Sequence, residues 1–487
     1  MTSPSTSRLV VLNREAEHLN DSFSIVPRES LTSSQQDFSA TLRVISAGVC
    51  GSDLKGAVMK PYPRHPKGKG LIVAGHEGGL ELTRIGDQLR ESLEHKFYGS
   101  ETEKYGIGRL FSLHIVLPKP GFPNWMAGFS DVQHPFALGT FANEIHMTED
   151  HFIRALVPAP QNAPGYWMAS REPLACCRRA ILANVHEDKN GNRFEGLTPE
   201  GNVLLLGATG AMGAYMIEYL LRSSPKPNSI TIAGKNNDKL IKMVERFQTL
   251  ADEAGIELRS FEITDADRKQ MPSDIAEAVK HNVRELKSFV GHRDFDDAMV
   301  MYPSPSLFTL AAKVIETGGC VNLFARPEQS DLTAHIFNTD INLSRLKGEC
   351  QVINIEDRFF VSSSGATRED MEYVSQFPRD SGRLQVTSIS DLNSLPDAIL
   401  SNGGPEGSDE LARAHLVMKT LVFPGLDEGA VPTRIKLAEL LQCSPNSNFL
   451  GKGEALRELY ELNLKSMGVF TDEMEQLLLQ GFSVRAK

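Results

Sequence analysis

The chain has 487 residues, too long for one compact core, so two or three domains are expected. Hydrophobic residues make up 41% and charged residues 23%, and a formal net charge of -11 argues against a general nucleic-acid or anionic-membrane surface. No apolar run approaches membrane-spanning length, the stretch Met1 to Arg8 lacks a signal-peptide core, and six cysteines form no disulfide framework, so a protein of the reducing cytoplasm is expected.

Taken in order, Leu9 to Leu12 reads as a short strand and Ala40 to Ala47 alternates as a half-buried strand does. The latter runs into Gly48-Val49-Cys50-Gly51-Ser52-Asp53. After a basic, proline-bearing loop holding Arg64, Lys67 and Lys69 comes Leu71-Ile72-Val73-Ala74-Gly75-His76-Glu77. These two segments put cysteine, histidine and glutamate, all competent zinc ligands, at the ends of apolar strands. Short β patterns follow at Gly108 to Val116 and Gly139 to Met147, with glycine, proline and aromatics between them, as in a small irregular barrel. No cysteine lies between Cys50 and Cys176, so a four-cysteine structural zinc lobe cannot sit here. Arg171-Glu172-Pro173 opens a helix, and Glu187 to Glu200 reads as a polar loop with a turn at Asn190-Gly191.

Val203 to Leu206 is wholly apolar, the pattern of a strand buried on both faces. It breaks into Gly207-Ala208-Thr209-Gly210-Ala211-Met212-Gly213 and continues as a helix with an apolar side. Gly207 permits the tight turn, Gly210 lets amides approach a pyrophosphate, and Gly213 lets the helix pack close; the helix N-terminus then faces the phosphates. A second strand at Ser229 to Ala233 completes a dinucleotide-binding unit. Helices at Lys239 to Ala254, Ser273 to Phe289 and Ser306 to Glu316 alternate with strands at Leu258 to Ile263, Phe295 to Met301 and Gly319 to Ala325, the signature of a doubly wound parallel sheet. Thr367 to Asp370 fits a helix cap loosely, and Thr433 to Leu441, Gly453 to Met467 and Thr471 to Leu479 read as helices.

The segments around Cys50, His76-Glu77, Glu172 and the glycine turn, in this order, resemble the medium-chain zinc-dependent alcohol and polyol dehydrogenases from about residue 40 to about residue 420. Within that superfamily the chain is most similar to the L-sorbose 1-phosphate reductase branch. The features behind this are the long polar spacer between Cys177 and Val203, the Asn322 to Pro327 segment and Phe337-Asn338. The resemblance implies an α/β fold: a GroES-like β-rich catalytic domain (1–180), a Rossmann cofactor domain (181–365), a return to the catalytic domain (366–425) and a helical C-terminal extension (426–487). It also implies an active site in the cleft between the domains and reversible hydride transfer between an alcohol and a ketone or aldehyde.

Position by position, Cys50, His76 and Glu77 match the zinc-ligand motif, and Glu172 matches the acidic fourth position of the polyol dehydrogenases. Ser52 matches the hydroxyl that passes the alcohol proton and Asp53 the carboxylate behind the ligand shell, so Ser52, Asp53 and Glu77 are the expected catalytic residues. A zinc ion held this way with one open position lowers an alcohol's pKa and polarises a carbonyl. The expected cofactor contacts are Gly207, Thr209, Gly210, Ala211, Met212, Gly213, Gly234, Lys235, Asn236 and Ala325. Gly234 stands where NAD-preferring sites place an acid, and Lys235 adds a positive charge, so NADP(H) is expected over NAD(H), with one catalytic zinc per chain. The expected partners are a small alcohol or ketone substrate and further copies of the chain in a dimer or tetramer. A zinc-free reductase of the same superfamily, and a non-catalytic NADP-binding protein, are the alternatives.

Overall fold

The structure, a computed structural model, describes residues 7–13, 23–28, 31–53, 71–96, 105–114, 136, 138–264, 272–291, 293–325, 327, 332–349, 351–363, 365–396, 398–399, 418–424, 426, 435–437, 440, 442–443, 454–467 and 469–481. Arg64, Lys67 and Lys69 of the basic loop lie outside them, as does Cys350. The chain divides into two units. One is Met1–Glu172 with Thr367–Asp409 and Lys419–Lys487; the other is Pro173–Ala366 with Glu410–Met418.

The first unit is built on β1 (Ser39–Gly48), β2 (Glu77–Ile85), β3 (Leu110–Leu113), β4 (Glu144–Thr148) and β5 (Leu156–Pro158). Alternating apolar residues on these strands, among them Leu42, Val44, Leu80, Leu82 and Phe111, enter one core with Phe152. Helix α1 (Gly165–Ala169) follows β5, and α2 (Arg171–Leu182) then carries the chain into the second unit.

The second unit holds the strands β6 (Asn202–Leu206), β7 (Ser229–Gly234), β8 (Glu257–Glu262), β9 (Phe295–Val300), β10 (Ile315–Leu323), β11 (Val352–Ile355) and β12 (Arg358–Val361). They form one seven-stranded sheet in the order β8-β7-β6-β9-β10-β12-β11. All pairings are parallel except that of β11 with β12. Helices α3 (Ala211–Arg222), α4 (Asn237–Ala254), α5 (Pro272–Phe289) and α6 (Pro305–Val314) alternate with the strands, and Val203 to Leu206 are fully buried, as expected of a strand covered on both faces. The order reverses at β6, whose neighbours are β7 and β9; ligands of open α/β sheets bind beside such a reversal, at the carboxyl ends of the strands.

Straddling the start of the stretch read as a polar loop, Val185–Glu187 and Arg193–Glu195 pair as an antiparallel hairpin around the Gly191 turn. Three-residue strands carry too little periodicity to be read locally, and this one is held by a buried contact from far along the chain: His186 Nε2 lies 3.0 Å from Asp297 Oδ1.

The chain then returns to the first unit through α7 (Arg368–Val374), β13 (Val386–Ser390), β14 (Lys419–Val422) and β15 (Ile435–Lys436). The eight-stranded sheet of that unit runs β15-β13-β14-β1-β2-β3-β5, with β4 also on β1. Thr367 and Asp370 form a full capping box on α7, tighter than their sequence fit suggests. The helix expected over Thr433 to Leu441 is corrected at its start only: Ile435 and Lys436 pair with β13 as β15, while Leu437 and Leu440 are helical. A short apolar run fits either period, and the open sheet edge decides it. Helices α8 (Glu454–Lys465) and α9 (Asp472–Gly481) end the described chain, and Leu459, Phe470, Met474 and Leu478 pack with Tyr166, Trp167 and Met168 of α1. Among the described residues no helix is long and apolar enough to cross a membrane.

Candidate metal centre and dinucleotide turn

Three strand ends meet where Cys50, His76 and Glu77 lie. Strand β1 pairs antiparallel with β2 so that Gly48 faces Glu77, which brings the residues just after β1 beside those at the start of β2. Strand β14 flanks β1 on its other side, with Leu421 opposite Gly48 and the Val49 amide donating to the Thr420 carbonyl at 3.0 Å. The register therefore delivers Cys50, His76, Glu77 and Lys419 to one place from segments far apart in the chain.

A thiol, an imidazole nitrogen and a carboxylate oxygen from Cys50, His76 and Glu77 all lie within 4.8 Å of one another. His76 and Glu77 are buried and Cys50 is half-buried. This donor set suits a borderline-soft divalent ion such as zinc better than magnesium or calcium, which take oxygen ligands. The residues present fit the ion that the sequence implies.

The surroundings hold these groups in place. The Asp53 carboxylate lies 3.4 Å from His76 Nδ1 and accepts from the Cys50 amide at 2.9 Å, which ties the two ligand segments together. With Nδ1 turned to Asp53, Nε2 faces the Ser52 hydroxyl at 3.2 Å. A carboxylate on the far nitrogen is the usual way a metal-binding imidazole is oriented and made more basic. Burial pulls the imidazole pKa down, but Asp53 and Cys50 beside it outweigh burial and hold it well above its usual value. A metal ion binding here must displace that proton.

Lys419, which sequence reasoning missed, takes both oxygens of Glu77: Nζ lies 2.8 Å from Oε1 and 2.6 Å from Oε2, and it also donates to the Val49 carbonyl at 3.1 Å. Both side chains are buried. Glu77 is thus committed to an ion pair, and it can approach a metal ion only by giving up part of that pair. A lysine inside the apolar run Leu416 to Phe423 is the one local sign of this partner.

Glu172 is buried in the first turn of α2 but is not in the Cys50–His76–Glu77 group. The residue before it is anchored on all sides. Arg171, fully buried, stacks its guanidinium on the Trp167 ring at 4.0 Å and donates to the carbonyls of Trp167, Val374 and Ser381 and to the Ser381 hydroxyl. The start of α2 is therefore rigid on its N-terminal side.

In the second unit the glycine turn follows β6 as expected. Gly207 has φ +73°, a conformation that suits glycine, and a side chain on Gly213 would collide with the Ala208 backbone. Thr209, Gly210, Ala211 and Met212 line this turn into α3, and Gly210 is exposed with nothing near its Cβ position. Gly234 closes β7, with the Thr209 methyl 3.5 Å from its Cβ position. Lys235 and Asn236 are exposed, and the Asn236 side chain accepts from the Lys239 amide at 2.9 Å as the cap of α4. Lys239, half-buried, is pushed down by burial and by Lys242. The Ala325 amide donates to the Val300 carbonyl at 3.2 Å, which sets Ala325 at the carboxyl end of β9, beside the strand-order reversal.

No protein-family model matches the chain. It is similar to the L-sorbose 1-phosphate reductase of Klebsiella pneumoniae, with 25% identity over 392 residues, 77% of this chain and 82% of that one. It is also similar to the mannitol-1-phosphate 5-dehydrogenase of Aliivibrio fischeri, with 22% identity over 383 residues, 76% and 80% of the two chains. Among solved structures, the 2R,3R-butanediol dehydrogenase of Bacillus subtilis shares the fold with a TM-score of 0.56 and 17% identity, covering 86% of this chain and 100% of that one. The chain is thus a relative of the polyol dehydrogenase superfamily, with the α/β fold of the medium-chain dehydrogenases.

Proposed function

We propose that the chain is a zinc-dependent oxidoreductase that transfers a hydride between NADP(H) and a polyol or ketose, with sugar phosphates as the substrate class to test first. The observation that carries this reading is the convergence of Cys50, His76 and Glu77 at one strand junction, with Asp53 and Ser52 on the two sides of the imidazole. When bound, zinc supplies Lewis acidity at the substrate oxygen, and the nicotinamide gives or takes the hydride. Cys50 and His76 are the permanent ligands in this account, and Asp53 fixes the imidazole. The Ser52 hydroxyl takes up the substrate's hydroxyl proton and passes it on. Glu77, braced by Lys419, stays an anion beside the site, and Glu172 supplies a third ligand, which leaves the fourth position to water or substrate.

The preference for NADP(H) rests on Gly234, which puts no carboxylate where one would repel a 2′-phosphate, and on the exposed Lys235 beside it. The substrate class is supported by the two curated relatives, which are named for reactions of sugar phosphates. A homo-oligomer in the cytoplasm completes the proposal. The test is a turnover screen over alditols, alditol phosphates, ketose phosphates and simple alcohols with both nicotinamide cofactors. Phosphorylated substrates with NADP(H) should lead. Turnover confined to simple alcohols, or to NAD(H), contradicts the corresponding part of the reading.

A further inference from the structure

We propose that the C-terminal helix α9 is a clamp on the metal-site strands, with Glu475 and Asp472 as positioning residues for the segment ends that carry Cys50, His76 and Glu77. The contact begins with Glu475, whose side chain is buried and whose Oε1 accepts from the Tyr166 amide at 3.1 Å. It also accepts from the Gly165 amide, so one carboxyl group from α9 takes the first two N–H groups of α1. One turn earlier, Asp472 Oδ1 accepts from the Tyr166 hydroxyl at 2.6 Å, and Phe470 meets the Tyr166 ring edge-on at 6.0 Å. Helix α1 is thus gripped at its start by three residues of the C-terminal segment.

What α1 touches gives the grip its consequence. A Cβ at Gly79, two residues after Glu77, would lie 2.9 Å from the Met168 Cβ, so α1 presses directly on the start of β2. A Cβ at Gly165 would lie 2.6 Å from the Ser46 hydroxyl, so α1 presses equally on β1, four residues before Cys50. Ser46 and Gly79 are themselves partners in the β1–β2 pairing. The same helix runs through Ser170, whose hydroxyl bonds back to the Tyr166 carbonyl at 2.6 Å, into Arg171 and Glu172. Moving α1 therefore moves both ligand strands and the start of α2 together. Gly165 and Tyr166 are buried, so with Glu475 removed their amides lose their partner with little water to replace it.

The inference rests on the metal reading above, and its test separates the two. Burial pushes the Glu475 carboxyl up to about 8, so at neutral pH glutamine is a close substitute and alanine is not. Three variants are compared with wild type: Glu475→Ala, Glu475→Gln and Asp472→Asn. One readout is the rate at which zinc-loaded protein yields its metal to a chromogenic chelator. The other is amide hydrogen exchange over residues 78–82 and 166–174, with residues 203–213 of the glycine turn as the internal control. Glu475→Ala should release zinc at least ~10-fold faster, the low end for losing support behind a metal ligand, and should exchange faster in the first two segments only. Glu475→Gln should match wild type, and Asp472→Asn should show the same pattern more weakly, which keeps the test alive should the alanine variant not fold. Wild-type zinc release and exchange in Glu475→Ala, or faster exchange spread equally over 203–213, overturns the clamp. If the wild-type chain takes up no zinc, the metal reading fails and the exchange pattern alone decides the clamp.

Discussion

Replacing Lys419 with methionine probes the buried ion pair that holds Glu77. Nζ sits 2.8 and 2.6 Å from the two carboxylate oxygens, and the side chains are 2% and 1% exposed, so solvent screens the pair little. At such a distance two unit charges attract by about 6 kcal/mol at an effective dielectric of about 20. Desolvation of both groups cancels most of this gain, so the pair is worth little relative to an apolar replacement of both partners. Methionine keeps the apolar stem but removes the charge and the bond to the Val49 carbonyl, which leaves the Glu77 carboxylate buried and unmatched; that state costs about 3–5 kcal/mol. The double variant Glu77→Gln, Lys419→Met should cost less than Lys419→Met alone, because no buried charge remains. The assay is urea denaturation of zinc-free protein followed by tryptophan fluorescence, to which Trp167 in the core of the first unit contributes. A cost for Lys419→Met within about 0.5 kcal/mol of zero, or a double variant worse than the single, refutes the reasoning.

Other outcomes follow from the same geometry. Lys235→Asp should raise the Kd for NADPH far more than that for NADH, read by fluorescence titration; equal changes would remove Lys235 from the 2′-phosphate. Glu172→Gln should cut turnover at least ~10-fold if Glu172 serves the metal, with the fold retained. As a helix cap alone it would cost about 1 kcal/mol of stability or less and spare turnover. The Glu475 carboxyl, raised by burial and by Asp472 against the opposing pull of the backbone donors and Arg379, holds its proton in the folded state up to about pH 8. The unfolded chain releases that proton near the ordinary carboxyl value, so this group's stabilising contribution is full below that value and is lost as pH rises to about 8. Arg383 and the Tyr166 phenol face the same cluster, and the phenol is itself pushed up by burial and by Asp472. Thermal unfolding should show Glu475→Gln gaining on wild type as pH rises from 5 to 9, by about a few degrees; parallel curves would contradict this.

The parts of this fold that were legible in the sequence are those whose signals are local. Glycine spacing after an apolar strand marks the dinucleotide turn, and Gly207 and Gly213 adopt the geometry those positions call for. Cys50 to Asp53 and His76-Glu77 are recognisable as short segments, and the β1–β2 register then brings them together. What was not legible depends on pairing between distant segments. Lys419 lies 342 residues from Glu77, and only the insertion of β14 beside β1 makes it a partner. The buried Arg171 reads as an ordinary helix-start arginine until Val374 and Ser381 supply its acceptors. Ile435 joins a sheet edge that no local period foretells, and Glu475 looks like one more acid on an amphipathic helix until Gly165 and Tyr166 present their amides to it.

The proposed hydride transfer depends on a metal held by Cys50 and His76. The most direct measurement is turnover with NADPH and a ketose phosphate on one preparation taken through chelation and reconstitution, with zinc counted at each stage. The expected result is about one zinc per chain, loss of turnover on its removal, recovery on adding zinc, and no recovery in a folded Cys50→Ser variant. Full turnover in chelated wild type, or in Cys50→Ser, contradicts it and leaves a reductase that works without a metal.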